Sequence, residues 1–440
     1  MKLIITLLTV LSFSVHALAG HLMMDGTYTS PAGGVYPGTE RTFQVYVPEQ
    51  YDGLQPACLY VGLDGVLCHA PQVMDSLMAC GSMPVTIGVF LQPGTIKDDH
   101  GEVIRYNRSN EFDATDDTFA RFLETELLPQ VEKMVTPDGR RITLSTRGSD
   151  RMIFGLSSGG IAAFTAAWHR PDLFGRVFSG VGTFVAMRGG NDLQAIVRKS
   201  EPRPLKVFLQ DGSNDAWNPL FGHWYEGNRM LASALEFAGY DCKFDWSDGG
   251  HNVKRATQIF AEAMTWMWQD WPAGITCGTT HNDLLADTLI PGENWQASAA
   301  TASSTKPGKV AISPDSSIMV TTEAGTNYLW QYTLSHGKPL NGQRFYWLHN
   351  YNNATVTVSA MAFDGNGNLW VVTDAGIQIC DQNGRVRGII TLPCAEAHVK
   401  QMLITDYRVT LVTSTGLNYT RGFNVKAPTA GARPASQGQG

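Results

Sequence analysis

The sequence predicts an α/β fold, a mostly parallel sheet with helices on both faces, followed by a smaller all-β domain of propeller-like blades. Three observations predict it. From Thr27 to about Pro272, short apolar strands alternate with amphipathic helical stretches, the pattern of parallel strands joined by crossover helices. Two stretches rich in Gly, Ala, Ser and Thr, 273–280 and 296–308, then interrupt the helical periodicity. Three similar strand-turn-strand segments follow. The length of 440 residues suits two domains. With 43% hydrophobic residues, 17% charged and 11 Trp, there is ample apolar surface to bury, which excludes a largely disordered chain.

The elements of the first domain can be justified in order. Arg41 to Val47 alternates polar and apolar residues, as an edge or antiparallel strand does. Ala57 to Val61 is an apolar run feeding Gly62-Leu63-Asp64-Gly65, a strand into a Gly-rich loop, and Val85 to Leu91 is a second buried strand. Asp116 can cap a helix reaching about Met134, with Phe119, Phe122, Leu123, Leu127 and Val131 on one stripe. Met152 to Phe154 is a short strand, Ser158 to His169 a small-residue helix, and Leu205 to Leu209 another strand. Asn228 to Ala238 reads as a helix closed by Gly239, and Phe260 to Trp271 as an amphipathic helix.

The later repeats are Val310 to Gly325, Met361 to Gly376 and Met402 to Gly416. Each is a strand, a polar turn, a second strand and a turn ending in Gly. Their closing glycines at 325, 376 and 416 are spaced as propeller blades are. Three blades fall short of the roughly four that a closed ring takes. Part of the ring is then missing, supplied by a partner chain in a homo-oligomer, or replaced by an open sheet. The boundaries read as 1–19 signal peptide, 20–275 first domain, 276–305 linker, 306–426 incomplete propeller-like domain and 427–440 disordered tail.

Composition and termini bound the compartment and partners. Met1-Lys2, the apolar run Leu3 to Val15 and Ala17-Leu18-Ala19 make a secretory signal peptide cleaved after Ala19. The protein is therefore expected to be periplasmic or secreted, with no membrane association beyond that segment. The net charge of −7 and the lack of a basic run exclude a nucleic-acid partner. Seven cysteines (Cys58, Cys68, Cys80, Cys242, Cys277, Cys380 and Cys394) leave at least one unpaired within the chain. None has zinc spacing, so no structural zinc is expected, and the side-chain chemistry read below needs no metal and no cofactor.

Gly155-Leu156-Ser157-Ser158-Gly159 matches G-x-S-x-G, with a strand before it and a helix after it. The flanking glycines let a sharp strand-to-helix turn expose the Ser157 hydroxyl. The N–H of Ser158 at the helix start can stabilise a developing oxyanion. A serine needs a base to take its proton, and the base an orienting carboxylate. His251, after Asp248-Gly249-Gly250, is the candidate base. Asp215 is the candidate acid, with Asp211 as the competitor nearer the strand end. Gly65 or Val66 is placed to give the second oxyanion donor. Trp217, Trp224 and Tyr225 follow the acid loop and either line an aromatic or sugar-binding cleft or pack as ordinary core. Asp364 and Asn366, in DGNGN, read as a turn between strands or as a cation site.

These residues amount to a resemblance. Arg41 to about Trp271 resembles the esterase family of α/β-hydrolases that includes enterochelin esterases and the feruloyl and acetylxylan esterases of carbohydrate esterase family 1. The likeness lies in YVGLDG at 60–65, RSNEFD at 108–113, FLETELLPQVE at 122–132, GLSSGGIAAFTAAWHRPDLFGRVFSGVGTF at 155–184, VFLQDGSND at 207–215 and GYDCKFDWSDGGHN at 239–252. It implies a serine esterase with Ser157, Asp215 and His251 as its triad. The implied substrate is an acylated or feruloylated carbohydrate, or alternatively a siderophore ester. The resemblance also places Arg108 and Glu111 near the pocket as substrate-binding residues, while a structural ion pair on that loop is the other reading. LIPGENWQ at 289–296 and residues 361–386 look like a gluconolactonase-type propeller, although no metal-ligand set of that family can be matched. A carbohydrate- or partner-binding module and a lactonase are the remaining alternatives for the second domain.

Overall fold

The computed structural model describes residues 21–299, 308–352 and 354–428. The signal-peptide reading, the end of the expected linker (300–305) and the tail from 429 lie outside them. Among the described residues no helix is long and apolar enough to cross a membrane.

The first part is built on ten strands. In chain order, β1 (His21–Thr29), β2 (Glu40–Pro48), β3 (Cys58–Leu63), β4 (Thr86–Leu91), β5 (Thr95–Lys97), β6 (Val103–Tyr106), β7 (Arg151–Leu156), β8 (Arg176–Gly180) and β9 (Lys206–Asn214) precede a small hairpin, β10 (Trp217–Asn218) and β11 (Gly222–His223). The tenth strand of the large sheet is β12 (Asp241–Gly250). The sheet runs β12-β9-β8-β7-β3-β4-β2-β5-β6, with β1 on β2. From β12 to β4 every pairing is parallel, and the strands added through β2 are antiparallel. The strands β3, β4, β7 and β8 are buried along their whole length, as expected of a parallel sheet covered on both faces.

The helices are α1 (Ala70–Ala79), α2 (Arg108–Phe112), α3 (Thr118–Phe122), α4 (Leu128–Val131), α5 (Ser158–His169), α6 (Leu193–Lys199), α7 (Trp224–Ala238) and α8 (Lys254–Trp268). The helix expected from Asp116 is present. The Asp116 carboxylate accepts from the N–H of Thr118, 3.0 Å away, and a π-helical stretch at Leu123–Leu127 joins α3 to α4. Its stripe of Phe119, Phe122, Leu123, Leu127 and Val131 is buried in the core on one face of the sheet. The other face is covered by α1 and α8 with a second core around Tyr60, Phe154, Phe178 and Phe260. The strand β8 and the helices α1 and α6 were not legible in the sequence.

The second part is three four-stranded antiparallel sheets. It opens with α9 (Asp283–Thr288) and β13 (Gln296–Ala299), inside the segment read as a linker. That reading is corrected at least over these residues. The side chain of Asn282 caps α9, and Leu285 is fully buried in a core of the later sheets. One sheet is β14 (Val310–Ile312), β15 (Ile318–Thr322), β16 (Tyr328–Ser335) and β17 (Lys338–Trp347). The next is β18 (Val358–Phe363), β19 (Leu369–Thr373), β20 (Gly376–Cys380) and β21 (Val386–Ile390). The last joins β22 (Val399–Thr405), β23 (Arg408–Thr413) and β24 (Leu417–Gly422) to β13. Each sequence repeat supplies the first hairpin of one sheet. Asp364 is a turn residue: its carboxylate accepts from the N–H groups of Asn366 and Asn368 and from the side chains of Asn368 and Trp370, all within 3.0 Å.

The two parts are docked tightly. Glu201 accepts from the N–H of Thr391 at 2.8 Å and from Arg421 at 2.9 Å. Tyr351 packs edge-on against His169, with ring centroids 4.6 Å apart. The Nζ of Lys199 donates to His349 Nε2 at 2.9 Å, and His169 Nε2 bonds the carbonyl of Thr115 at 2.8 Å. Burial, with Lys199 beside His349 and Arg203 near His169, pushes both imidazoles down to about 4. A histidine with a depressed folded pKa contributes stability above its unfolded pKa of about 6.5 and loses it as pH falls towards the folded value. We expect thermal unfolding of the full chain to show a stability drop concentrated between pH 6.5 and 4. His349→Gln should flatten that drop, and an equal drop in the variant would refute the assignment.

Candidate active site

Ser157 sits between the end of β7 and the start of α5, with φ 56° and ψ −122°. This is a strained backbone for a residue with a Cβ. The turn can close because both flanking glycines lack side chains. A Cβ at Gly155 would lie 2.1 Å from the carbonyl oxygen of Gly159, and one at Gly159 would lie 3.0 Å from Asp64 Oδ2. The same closeness brings the loop after β3 against the first turn of α5.

Three side chains from separate elements meet at this turn. The hydroxyl of Ser157 lies 2.8 Å from His251 Nε2, and His251 Nδ1 lies 2.5 Å from Asp215 Oδ1. With the imidazole neutral, Nδ1–H donates to Asp215 and Nε2 is left to accept from Ser157, the tautomer a general base needs. Asp215 follows β9 and is buried, whereas His251 follows β12 and reaches the surface. Burial by itself raises the pKa of the Asp215 carboxyl, but the hydrogen bonds from His251 and the Ala216 amide outweigh it and hold the group below its ordinary value. Asp211, the competitor, accepts from the Gly212 N–H at 2.6 Å, and it is Asp215 that meets the imidazole.

Thr183 was missed in the sequence. It lies in the loop after β8, with its hydroxyl 3.5 Å from Ser157 Oγ. The indole N–H of Trp224 donates to that same hydroxyl at 3.3 Å. An indole nitrogen is only a donor, so the Thr183 O–H is free to point at Ser157. The one available signal was position, just beyond a strand end. Trp224 also packs edge-on against His251 at 5.8 Å. It is only 8% exposed, so its place as a substrate-lining residue is corrected: it buttresses the serine and histidine. Trp217, on the β10–β11 hairpin, is exposed beside the acid loop.

The oxyanion candidates divide. Ser158 is the first residue of α5, where an N–H has no partner within the helix. The Gly65 N–H instead donates to the carbonyl of Leu91 at 3.1 Å, so Gly65 is corrected as a donor. Among the described residues the N–H of Val66 has no acceptor, which leaves it as the second candidate.

Arg108 and Glu111 do not pair with each other. Arg108 grips both carboxylate oxygens of Asp64 at 2.7 and 2.8 Å, holding the loop that carries Val66. Glu111 is fully buried and bonds Arg41 at 2.7 and 3.1 Å, along with Asn107 and the Gly94 amide. It has no surface to offer a substrate, and its substrate-binding placement is corrected. A buried acid beside a buried Arg is satisfied structure. The seven cysteines are all free thiols, and no cluster of three or more metal-ligating side chains occurs among the described residues.

Fold and site together define a carboxylic ester hydrolase built on a mostly parallel sheet. A family model described as "Putative esterase" matches residues 34–267, more than half of the chain, and the chain belongs to that family. Among solved structures, a ferulic acid esterase is 20% identical, with 57% of this chain and 98% of that one covered and a TM-score of 0.41. The enterobactin esterase FES from Shigella flexneri is 21% identical, with 56% and 59% covered and a TM-score of 0.43. The S-formylglutathione hydrolase FrmB from Staphylococcus aureus is 15% identical, with 57% and 97% covered and a TM-score of 0.38. The match thus spans well under two thirds of the enterobactin esterase. No curated protein matches the chain.

Proposed function

We propose that the protein is an exported serine esterase that hydrolyses acylated or feruloylated carbohydrate through Ser157, His251 and Asp215. The observation that carries the mechanism is the continuous hydrogen-bonded series from Ser157 Oγ through the imidazole to Asp215. Ser157 Oγ attacks the ester carbonyl as His251 Nε2 takes its proton. The tetrahedral oxyanion is held by the Ser158 and Val66 amides. His251 returns the proton to the departing alcohol, leaving an acyl-Ser157. Water, deprotonated by His251, then releases the acid and restores the serine.

Two features support a neutral substrate of carbohydrate type. Trp217 offers an exposed aromatic face beside the acid loop, suited to stacking on a sugar or an aromatic acyl group. Arg108, the cation expected at the pocket, is neutralised by Asp64 and is not free to bind an anionic catecholate. The second part docks at the His169 end of α5. At about 1.5 Å per residue, that end lies roughly 18 Å along the helix from Ser157, so these contacts leave the ester site open.

Hydrolysis of methyl ferulate, acetylated xylan fragments and a cyclic catecholate ester by the full chain tests the substrate. We expect the first two to be favoured in kcat/KM by at least about tenfold over the third. Preference for the catecholate would overturn the carbohydrate reading in favour of a siderophore esterase. Lactone hydrolysis that survives Ser157→Ala and is abolished by a chelator would point to a separate metal-dependent activity in the C-terminal sheets.

A further inference from the structure

We propose that Asp211 is a positioning residue that carries a proton and donates it in a hydrogen bond to Asp215, so that a neutral carboxyl holds the acid of the active site in place. The inference rests on the triad reading above.

Asp211 lies near the end of β9 and is fully buried, and its carboxyl is close enough to that of Asp215 for each to perturb the other. The Oδ1 of Asp211 accepts from the Gly212 N–H at 2.6 Å, and the Oδ1 of Asp215 accepts from His251 and from the Ala216 N–H. The remaining oxygen of each carboxyl, together with Asn228 Oδ1, is buried and receives no donor from the described residues. Two ionised carboxylates this close would repel, and two acceptors cannot bond each other. One proton between them removes the repulsion and supplies the missing donor.

The proton belongs on Asp211. Asp215 has an imidazole and an amide to stabilise its charge, while Asp211 has only the Gly212 amide, the Asn228 side chain from α7 donating instead to the carbonyls of Gly182 and Trp224. Burial and the adjacent Asp215 push the Asp211 carboxyl up to about 9. The other groups around it do not supply a counter-charge. Ser247 of β12 contacts only its backbone carbonyl, β8 places Ser179 and Gly180 beside Leu209 and Gln210, and Arg255 of α8 is bound to Asp245. His251 lies behind Asp215. A neutral Asp211 thus fixes the rotation of the Asp215 carboxyl towards Nδ1 without adding a second negative charge beside the imidazole.

The test combines infrared spectroscopy of the substrate-free full chain with pH–rate profiles on a p-nitrophenyl ester. At neutral pH we expect a protonated-carboxyl band that is lost in Asp211→Asn and titrates away near pH 9. The amide N–H of Asp211→Asn replaces the O–H, so its kcat at neutral pH should stay within about threefold of wild type. The fall in wild-type kcat above about pH 9 should be absent from that variant. Asp211→Leu, with folding checked by its thermal midpoint, should lose kcat by at least about tenfold at little changed KM. Absence of the band at neutral pH, or an alkaline fall unchanged in Asp211→Asn, would overturn the proposal. The band decides the proton without reference to activity. A band present while Ser157→Ala is fully active would sink the triad reading, and the positioning role with it.

Discussion

Ser157→Ala is expected to lower kcat for ester hydrolysis by about 10⁴-fold or more while changing KM little. The reason is chemical rather than structural. The alanine keeps the β7–α5 turn and its positive φ, and it loses only the oxygen that forms the acyl bond. His251 and Asp215 remain hydrogen-bonded to each other, so the site persists with no nucleophile to activate. Residual turnover would come from water activated by His251 with the oxyanion amides still in place. Steady-state kinetics on a p-nitrophenyl acyl ester measure the loss, and mass spectrometry of a quenched reaction should find the acyl group on Ser157 in the wild type alone. A variant with more than about a tenth of wild-type kcat would remove Ser157 as the nucleophile.

Gly155→Ala is expected to be the most damaging single-methyl change to the fold at this site. The added Cβ would lie 2.1 Å from the Gly159 carbonyl oxygen, 2.3 Å from its carbon and 2.9 Å from its Cα. All three atoms are backbone in the first turn of α5 and cannot swing aside as a side chain would. Either the helix start must move off the strand, which misplaces Ser157 and the Ser158 amide, or the strand must bend within a fully buried sheet. Overpacking of this kind costs about 3 kcal/mol or more. Denaturant unfolding measures it against Gly33→Ala, an exposed position where a Cβ meets nothing within 4 Å. The control should stay within about 0.5 kcal/mol of wild type. Equal stability of the two variants would contradict the tight-turn account.

Much of this site was readable along the chain because it depends on local order. The strand, the G-x-S-x-G turn and the small-residue helix are contiguous, and each constrains the next. That Asp215 and His251 would come near Ser157 was readable because each follows the end of a strand, β9 and β12, which lie side by side in the sheet. Glu111 was misread for the opposite reason. Its partner Arg41 is 70 residues away, and nothing along the chain distinguishes a pocket acid from one buried against a distant guanidinium. Gly65 failed similarly, because its N–H is taken by Leu91 across the β3–β4 edge. Thr183 and the role of Trp224 emerge only when the loop after β8 meets the start of α7.

The second part divides along the same line. The repeats and their turn aspartates are local and were visible, including the hairpin set by Asp364. The helix α9, short and flanked by Gly- and Thr-rich segments, is held by Leu285 in a distant core and read as linker. By itself the sequence determined the layer order, the nucleophile turn and the ordered Ser, Asp and His, since periodicity, steric demand and chain order are all one-dimensional. The tertiary structure decided which polar groups are free. Whether an amide, a carboxyl or a guanidinium can serve a substrate depends on whether a partner remote in sequence already satisfies it.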